Sequence, residues 1–245
     1  MRIISKCLFI SIFLLVLTSC GNKPKVNMVS IPGTNYKMLR TEVTQKLYTE
    51  IMGENPSEFK GDNLPVENVS WYDAIEFCNK LSEIYGLNKA YIVDGRVVTQ
   101  DNKANGFRLP TSGEWEYVAK GADKGRGYKY SGSGNIDEVA WYWKNSGIEY
   151  LAGSDYDWDS KIIGSNQCKT HDVATKAPNE LGIFDMCGNV IEWCWDIKKN
   201  QNDKHCVKGG SFGTPAKGCE ISYLMWIKDD HRYYDLGFRI VRNIK

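Results

Sequence analysis

Several things are scarce in this sequence, and each absence excludes a class of protein. Charge of one sign is not in excess: 31 Lys and Arg face 30 Asp and Glu. A near-neutral balance supplies no phosphate track, so nucleic acid is not expected as a partner. Histidine is rare, with His171, His205 and His231 scattered, and no Cys-x-x-Cys pair occurs. Zinc ligands of the usual spacing are therefore absent. The apolar stretch from Cys7 to Leu17 is too short to cross a bilayer as a mature helix. There is no internal repeat and no low-complexity segment, which excludes solenoids and propellers. Gly132-Ser133-Gly134 is too short for a nucleotide loop and precedes no apolar helix. Strands and helices do not alternate, so a parallel α/β sheet is not expected either.

What is present begins at the N-terminus. Met1 to Lys6 is a short basic lead, followed by the apolar stretch and then Leu17-Thr18-Ser19-Cys20-Gly21. Small residues ahead of a cleavage point suit a signal peptidase. The segment resembles the lipobox of bacterial lipoproteins. That resemblance implies a leader over 1–19, a diacylglycerol thioether on Cys20, and display at the bacterial outer membrane or cell surface. Two or three acyl chains anchor stably where one does not. Residues 20–27 read as a lipidated polar tether, and 28–245 as one large domain. Six cysteines remain beyond it: Cys78, Cys168, Cys187, Cys194, Cys206 and Cys219. An exported compartment permits disulfides, but sequence does not choose among the pairings.

Two helices are well signalled. Ser70 caps the first, with Asp73 three residues on and Gly86 as the stop; Ala74, Phe77, Cys78 and Leu81 share a face. Thr111 and Glu114 form a capping box for the second, with Trp115, Val118 and Ala119 buried and Gly121 ending it. A shorter helix fits Thr44 to Met52. Ala90 to Val98 reads as a hairpin turning at Asp94-Gly95. Further strands are expected within Tyr36–Val43, Ile191–Ile197, Cys206–Lys208 and Phe238–Val241, with His205-Cys206 at a loop. Trp141, Trp143 and Trp158 are expected beneath loops. Glu192, between two apolar residues, requires a buried partner. Segregated helices and strands give an α+β, loop-rich single domain.

The C-terminal quarter is unusual. Gly209-Gly210-Ser211-Phe212 and Leu236-Gly237-Phe238-Arg239 enclose a stretch rich in large residues without helical or strand period. Trp, Tyr and Met held between fixed ends read as a contact surface centred on Trp226, because exposed apolar groups of this size disfavour solubility unless a partner covers them.

The motifs form a series: Thr41-Glu42-Val43-Thr44, Leu64 to Trp71, Phe107 to Glu116, Asn179 to Trp193, and the two bookends. The series resembles the formylglycine-generating-enzyme, or sulfatase-modifying-factor, domain. The resemblance implies a divergent C-type-lectin-type fold. It also implies a copper centre of two cysteines shortly after the Gly-Gly-Ser motif. Here those positions hold Thr214 and Cys219. Cuprous copper needs two soft ligands and Thr214 supplies none, so no copper and no formylglycine chemistry are expected. The alternative is a copper-dependent oxidase of the same family. The resemblance further implies a structural calcium at Asp185, Gly188, Val190 and Glu192, whose hard oxygen donors suit that ion.

The terminal segment, residues 209–243, also resembles the variable region of treponemal surface lipoproteins diversified by retroelements. That implies a frame including Ile221, Tyr223 and Phe238. The implied ligand-binding face comprises Gly213, Thr214, Pro215, Lys217, Gly218, Leu224, Met225, Trp226, Ile227, Lys228, His231, Tyr233 and Tyr234. The expected protein is a non-catalytic, lipid-anchored monomer that binds a protein or other macromolecule.

Overall fold

Side-chain caps start the helices where the residues predict. The computed structural model describes residues 23–154 and 159–244. Cys7, Cys20 and Trp158 lie outside them. Thr44 caps α1 (Gln45–Met52), accepting from the Leu47 amide, and Gly53 closes it at φ +83°. Helix α2 (Trp71–Tyr85) opens with a full capping box between Ser70 and Asp73 and ends at Gly86 in the left-handed region. Helix α3 (Ser112–Ala119) has the corresponding box between Thr111 and Glu114. Two short helices follow, α4 (Ile136–Val139) and α5 (Ser160–Ser165). None of the described helices is long and apolar enough to cross a membrane.

The strands are β1 (Met28–Ser30), β2 (Tyr36–Leu39), β3 (Tyr91–Asp94), β4 (Val97–Gln100), β5 (Phe107–Arg108), β6 (Ile191–Lys198), β7 (Gln201–Lys208), β8 (Leu224–Lys228), β9 (Leu236–Gly237) and β10 (Val241–Asn243). They form a sheet β1-β2-β10-β5, the separate hairpin β3-β4, and a second sheet β8-β7-β6-β9. Strand β6 pairs antiparallel with β7 and parallel with β9. Two apolar clusters make the core. One gathers Trp115, Trp143, Met186 and Phe212; the other gathers Tyr48, Trp71, Phe77, Trp193 and Phe238.

Four local expectations are corrected. The hairpin turns one residue later, at Gly95-Arg96, because Asp94 still pairs with Val97. His205 and Cys206 lie within β7, both buried, rather than at a loop. Of the expected strand Phe238–Val241 only Val241 is in a strand, β10; Phe238, Arg239 and Ile240 lie in the gap after β9. Packing on the domain begins before residue 28: Pro24 is buried, Val26 packs on the second cluster, and the Asn27 carbonyl accepts from the Arg40 amide at 2.9 Å. All six described cysteines are buried free thiols.

Candidate functional site

The first bookend sets the site. Gly209 and Gly210 both have positive φ, and a Cβ on Gly210 would lie 2.7 Å from Cys219 Sγ. Only glycine lets the chain pass here and present Ser211 and Phe212. The Ser211 hydroxyl donates to Asp235 Oδ2 at 2.7 Å. Its amide donates to Thr214 Oγ1 at 2.9 Å. The Ser211 and Thr214 hydroxyls share a further 2.9 Å hydrogen bond. Since the serine proton goes to the carboxylate, Thr214 is the donor of that bond. Ser211 thereby ties the first bookend to Asp235, the residue directly ahead of the second. Burial raises the Asp235 carboxyl above the usual range, and the Ser211 hydrogen bond opposes this. Cys219 is fully buried, and burial pushes its thiol well up. At the other implied position Thr214 offers a hydroxyl rather than a sulfur.

Beside this network lies a cleft of about 380 Å³. Phe59, Phe212 and Tyr234 line it with Ile163, Cys168 and Lys169. The three rings contact one another, with centroids 5.5 Å apart for Phe59–Phe212, 6.4 Å for Phe59–Tyr234 and 5.8 Å for Phe212–Tyr234. Gly213 borders the same space, 3.9 Å from Ile163 by the position of a Cβ. Phe59, Ile163 and Cys168 carry no sequence signal for this role, since they come from loops and α5 far away in the chain. Phe212 stands inside the first bookend and Asp235 directly precedes the second, and those places were the available signal.

The turn after β8 displays the other aromatics. Tyr233 and Tyr234 are 43% and 52% exposed. His231 Nδ1 is 2.8 Å from the Tyr233 hydroxyl. The turn is fixed by residues outside the expected face. Arg232 pairs with Asp73 at the start of α2. Asp229 accepts from Arg96 at 3.0 Å and from the Tyr72 hydroxyl at 2.9 Å. The backbone joins in, with the Asn68 amide donating to Tyr233 O and the Trp71 amide to Asp229 O.

The expected face is therefore only partly a face. Residues 224–228 are not an irregular loop but the edge strand β8, paired with β7 from Lys208↔Leu224 to Lys204↔Lys228. Met225 and Ile227 pack on the second core cluster, and Trp226 packs on the first. A strand covered on both faces reads as a continuous apolar run, which is why no alternation is visible in the sequence. Leu224 and Lys228 remain exposed at its ends. Gly218 is frame: it is buried, and a Cβ there would lie 2.4 Å from Thr214 Cγ2. Tyr223, expected in the frame, is instead exposed, whereas Ile221 and Phe238 are buried as expected. Pro215 leads the short turn Ala216–Cys219, and Lys217 on that turn pairs with Glu220 at 2.7 Å.

The expected calcium loop is built around a guanidinium. Glu192 and Arg239 are both fully buried. Arg239 donates to the two Glu192 oxygens at 2.6 and 2.7 Å, and Trp115 Nε1 adds a third bond at 2.7 Å. Arg239 also takes the Asp185 carbonyl at 3.0 Å. Asp185 Oδ2 accepts from the Ala174 amide. Gly188 donates its amide to Gly209 O, and Val190 donates its amide to Glu42 Oε1. Among the described residues no group of three or more His, Cys, Asp or Glu side chains is arranged to hold a metal ion. As placed, Asp185, Gly188, Val190 and Glu192 do not fit the implied calcium set, because Arg239 already holds Glu192. Three carboxylates share that one cation. Burial, then repulsion from Asp185 and Glu192, pushes Glu42 well above the ordinary carboxylate range. Burial likewise raises Asp185 to about 6.

Comparison with known proteins matches this architecture. The sulfatase-modifying factor enzyme 1-like domain family model matches residues 19–244. Chaperone protein LppX of Paenibacillus barcinonensis is 43% identical over 221 residues, 82% of this chain and 78% of that protein. Treponema denticola variable protein 1 has the same fold, with a TM-score of 0.72 at 30% identity over 89% of this chain and 92% of the other. Inactive C-alpha-formylglycine-generating enzyme 2 of Bos taurus is 25% identical over 187 residues, 71% of this chain, and the chain spans about half (49%) of its length. The chain belongs to the family of sulfatase-modifying factor enzyme 1-like domains and has their lectin-type α+β fold.

Proposed function

We propose that this protein is a non-catalytic, lipid-anchored binding protein that engages a polypeptide at the cleft of Phe59, Phe212 and Tyr234 and the adjoining turn. One observation carries the reading. The position where a first copper thiol is implied holds Thr214, whose hydroxyl is committed to Ser211. A hydroxyl in place of a soft ligand supports a non-catalytic reading, and an aromatic cleft lies beside it. Exposed tyrosines at a cleft favour binding, since they offer large amphipathic contact area. The relative LppX is named a chaperone, and a chaperone's ligand is a polypeptide. The lipid on Cys20, the cell-surface location and the variation of the terminal segment between sister copies belong to the same proposal.

The test uses purified protein and reduced, carboxymethylated α-lactalbumin as the unfolded polypeptide. Saturable binding that weakens at least tenfold in Tyr233→Ala/Tyr234→Ala supports the reading. Unchanged binding in that variant removes it. Conversion of a sulfatase-type cysteine peptide by the copper-treated protein, read by mass, would establish the oxidase instead.

A further inference from the structure

Helix α2 separates two ends of the molecule that carry different chemistry. At its C-terminal end the chain enters the domain. Lys23 Nζ donates to Tyr85 O at 3.1 Å, and the Tyr85 hydroxyl donates to Pro24 O. The Lys23 ammonium also lies over the Tyr85 ring, 5.5 Å from its centroid. Pro24 is buried there. The chain is thus fastened from Lys23 onward, and only Gly21 and Asn22 separate it from Cys20. A chain extends by about 3.5 Å per residue, so Cys20 is leashed within roughly 10 Å of this end.

The N-terminal end of α2 carries the aromatic turn. Asn68 and Trp71 hold its backbone, and Asp73 holds Arg232. The 15 residues of α2 separate the two ends by about 22 Å at the usual helical rise.

We infer that the Tyr85 end faces the bilayer holding the lipid of Cys20, and that the turn His231–Tyr234 is presented on the side away from it. The partner is then a polypeptide arriving from the aqueous side, not one embedded in the same bilayer. This rests on the proposed lipid anchor and on the polypeptide-binding reading. The surface at the Tyr85 end suits a headgroup layer. Lys23 and Lys25 are exposed, and Ile84 is exposed beside the Lys89–Glu83 pair. Cations on long stems next to an apolar side chain settle at such an interface.

The experiment uses the full chain purified from membranes with its lipid, in vesicles of phosphatidylethanolamine and phosphatidylglycerol. A fluorophore is attached at Ile84→Cys in one variant and at Tyr233→Cys in another. The six described thiols are buried, so the reagent reaches the introduced one. Headgroup-labelled quencher lipid is expected to quench the Ile84→Cys probe at least threefold more than the Tyr233→Cys probe. Equal or reversed quenching in acylated protein overturns the orientation alone. Absence of acyl mass on Cys20 overturns the anchor and the orientation with it. Carboxymethylated α-lactalbumin is expected to bind vesicle-held protein as tightly as the soluble Cys20→Ser form. A tenfold loss on vesicles would place the binding face against the bilayer and overturn the inference. No binding to either form would remove the polypeptide reading, and quenching would still decide the orientation.

Discussion

Arg232 grips Asp73 through two parallel hydrogen bonds, Nε to Oδ2 at 2.9 Å and Nη2 to Oδ1 at 2.7 Å. The same Oδ2 accepts the Ser70 amide in the cap of α2. One carboxylate therefore starts a helix and fixes the aromatic turn. Arg232→Ala removes only the second task. As a partly exposed pair it is expected to cost about 0.5–1 kcal/mol of stability. Asp73→Ala also loses the bond to the Ser70 amide, its half of the capping box, and is expected to cost about 1–2 kcal/mol. Urea midpoints of the two variants check the order, and Arg232→Ala should weaken polypeptide binding by more than its stability loss.

Trp226 belongs to the fold more than to the surface. Its ring packs on the first core cluster from an edge strand. Trp226→Ala is expected to destabilise by about 2 kcal/mol, below the value for a fully buried Trp. Tyr233→Ala should stay within about 0.5 kcal/mol, as exposed substitutions do, and Tyr234→Ala, which gives up its ring contacts with Phe59 and Phe212, should cost about 0.5–1.5 kcal/mol. Thermal melts of the three variants separate frame from face.

Breaking the Glu192–Arg239 pair leaves a buried charge unmatched. Arg239→Ala is expected to cost about 3–5 kcal/mol, enough to unfold a marginal domain. Since Arg239 holds both Glu192 oxygens, added calcium should leave the melting temperature of the intact protein unchanged. A calcium-dependent rise in melting temperature would return Glu192 to the role of a metal ligand.

Stability should fall as pH rises from 5 to 8. Glu67 is buried, with Oε1 held by the Phe59 amide and Oε2 without a partner in the structure. Burial raises its carboxyl to about 7, against the pull of the Phe59 and Glu58 amides. Asp185 moves in the same direction, to about 6. An acid whose folded value lies above its unfolded one contributes fully below the unfolded value, and that contribution is lost as pH rises through the folded one. The window runs from about 4.5 to 7 for Glu67. Glu67→Gln should flatten the urea midpoint between pH 5 and 8 and gain about 1–3 kcal/mol at pH 8.

Gly218 is a steric requirement. A Cβ there would lie 2.4 Å from Thr214 Cγ2, so Gly218→Ala should cost about 1–3 kcal/mol by overpacking. Thr214→Ser, which removes that methyl, should restore part of the loss in a double variant. Denaturation curves of both report it.

Local chemistry was readable wherever one side chain answers to its own neighbours in the chain. Ser70 with Asp73 and Thr111 with Glu114 are such cases, and so is the stop at Gly86. The need of Glu192 for a partner was also readable, although the same motif suggested a metal where Arg239 stands. What escaped was set by distant packing. The run 224–228 hid a strand because β8 is covered on both sides. Phe59 and Ile163 enter the cleft from separate loops and helices. The anchoring role of Arg232 depends on Asp73, and nothing in either residue's surroundings in sequence announces the other.

Strand β10 lies between β2 and β5, with Val241 opposite both Met38 and Arg108. The first sheet is therefore incomplete until residues 241–243 arrive to bridge strands made far earlier. Pairings across such sequence distances are slow to form. A chain threaded through an export channel would emerge with this sheet open and its apolar faces uncovered, and would close only after the final bridging strand had passed. In any chain delivered that way, the topology itself would order passage before folding.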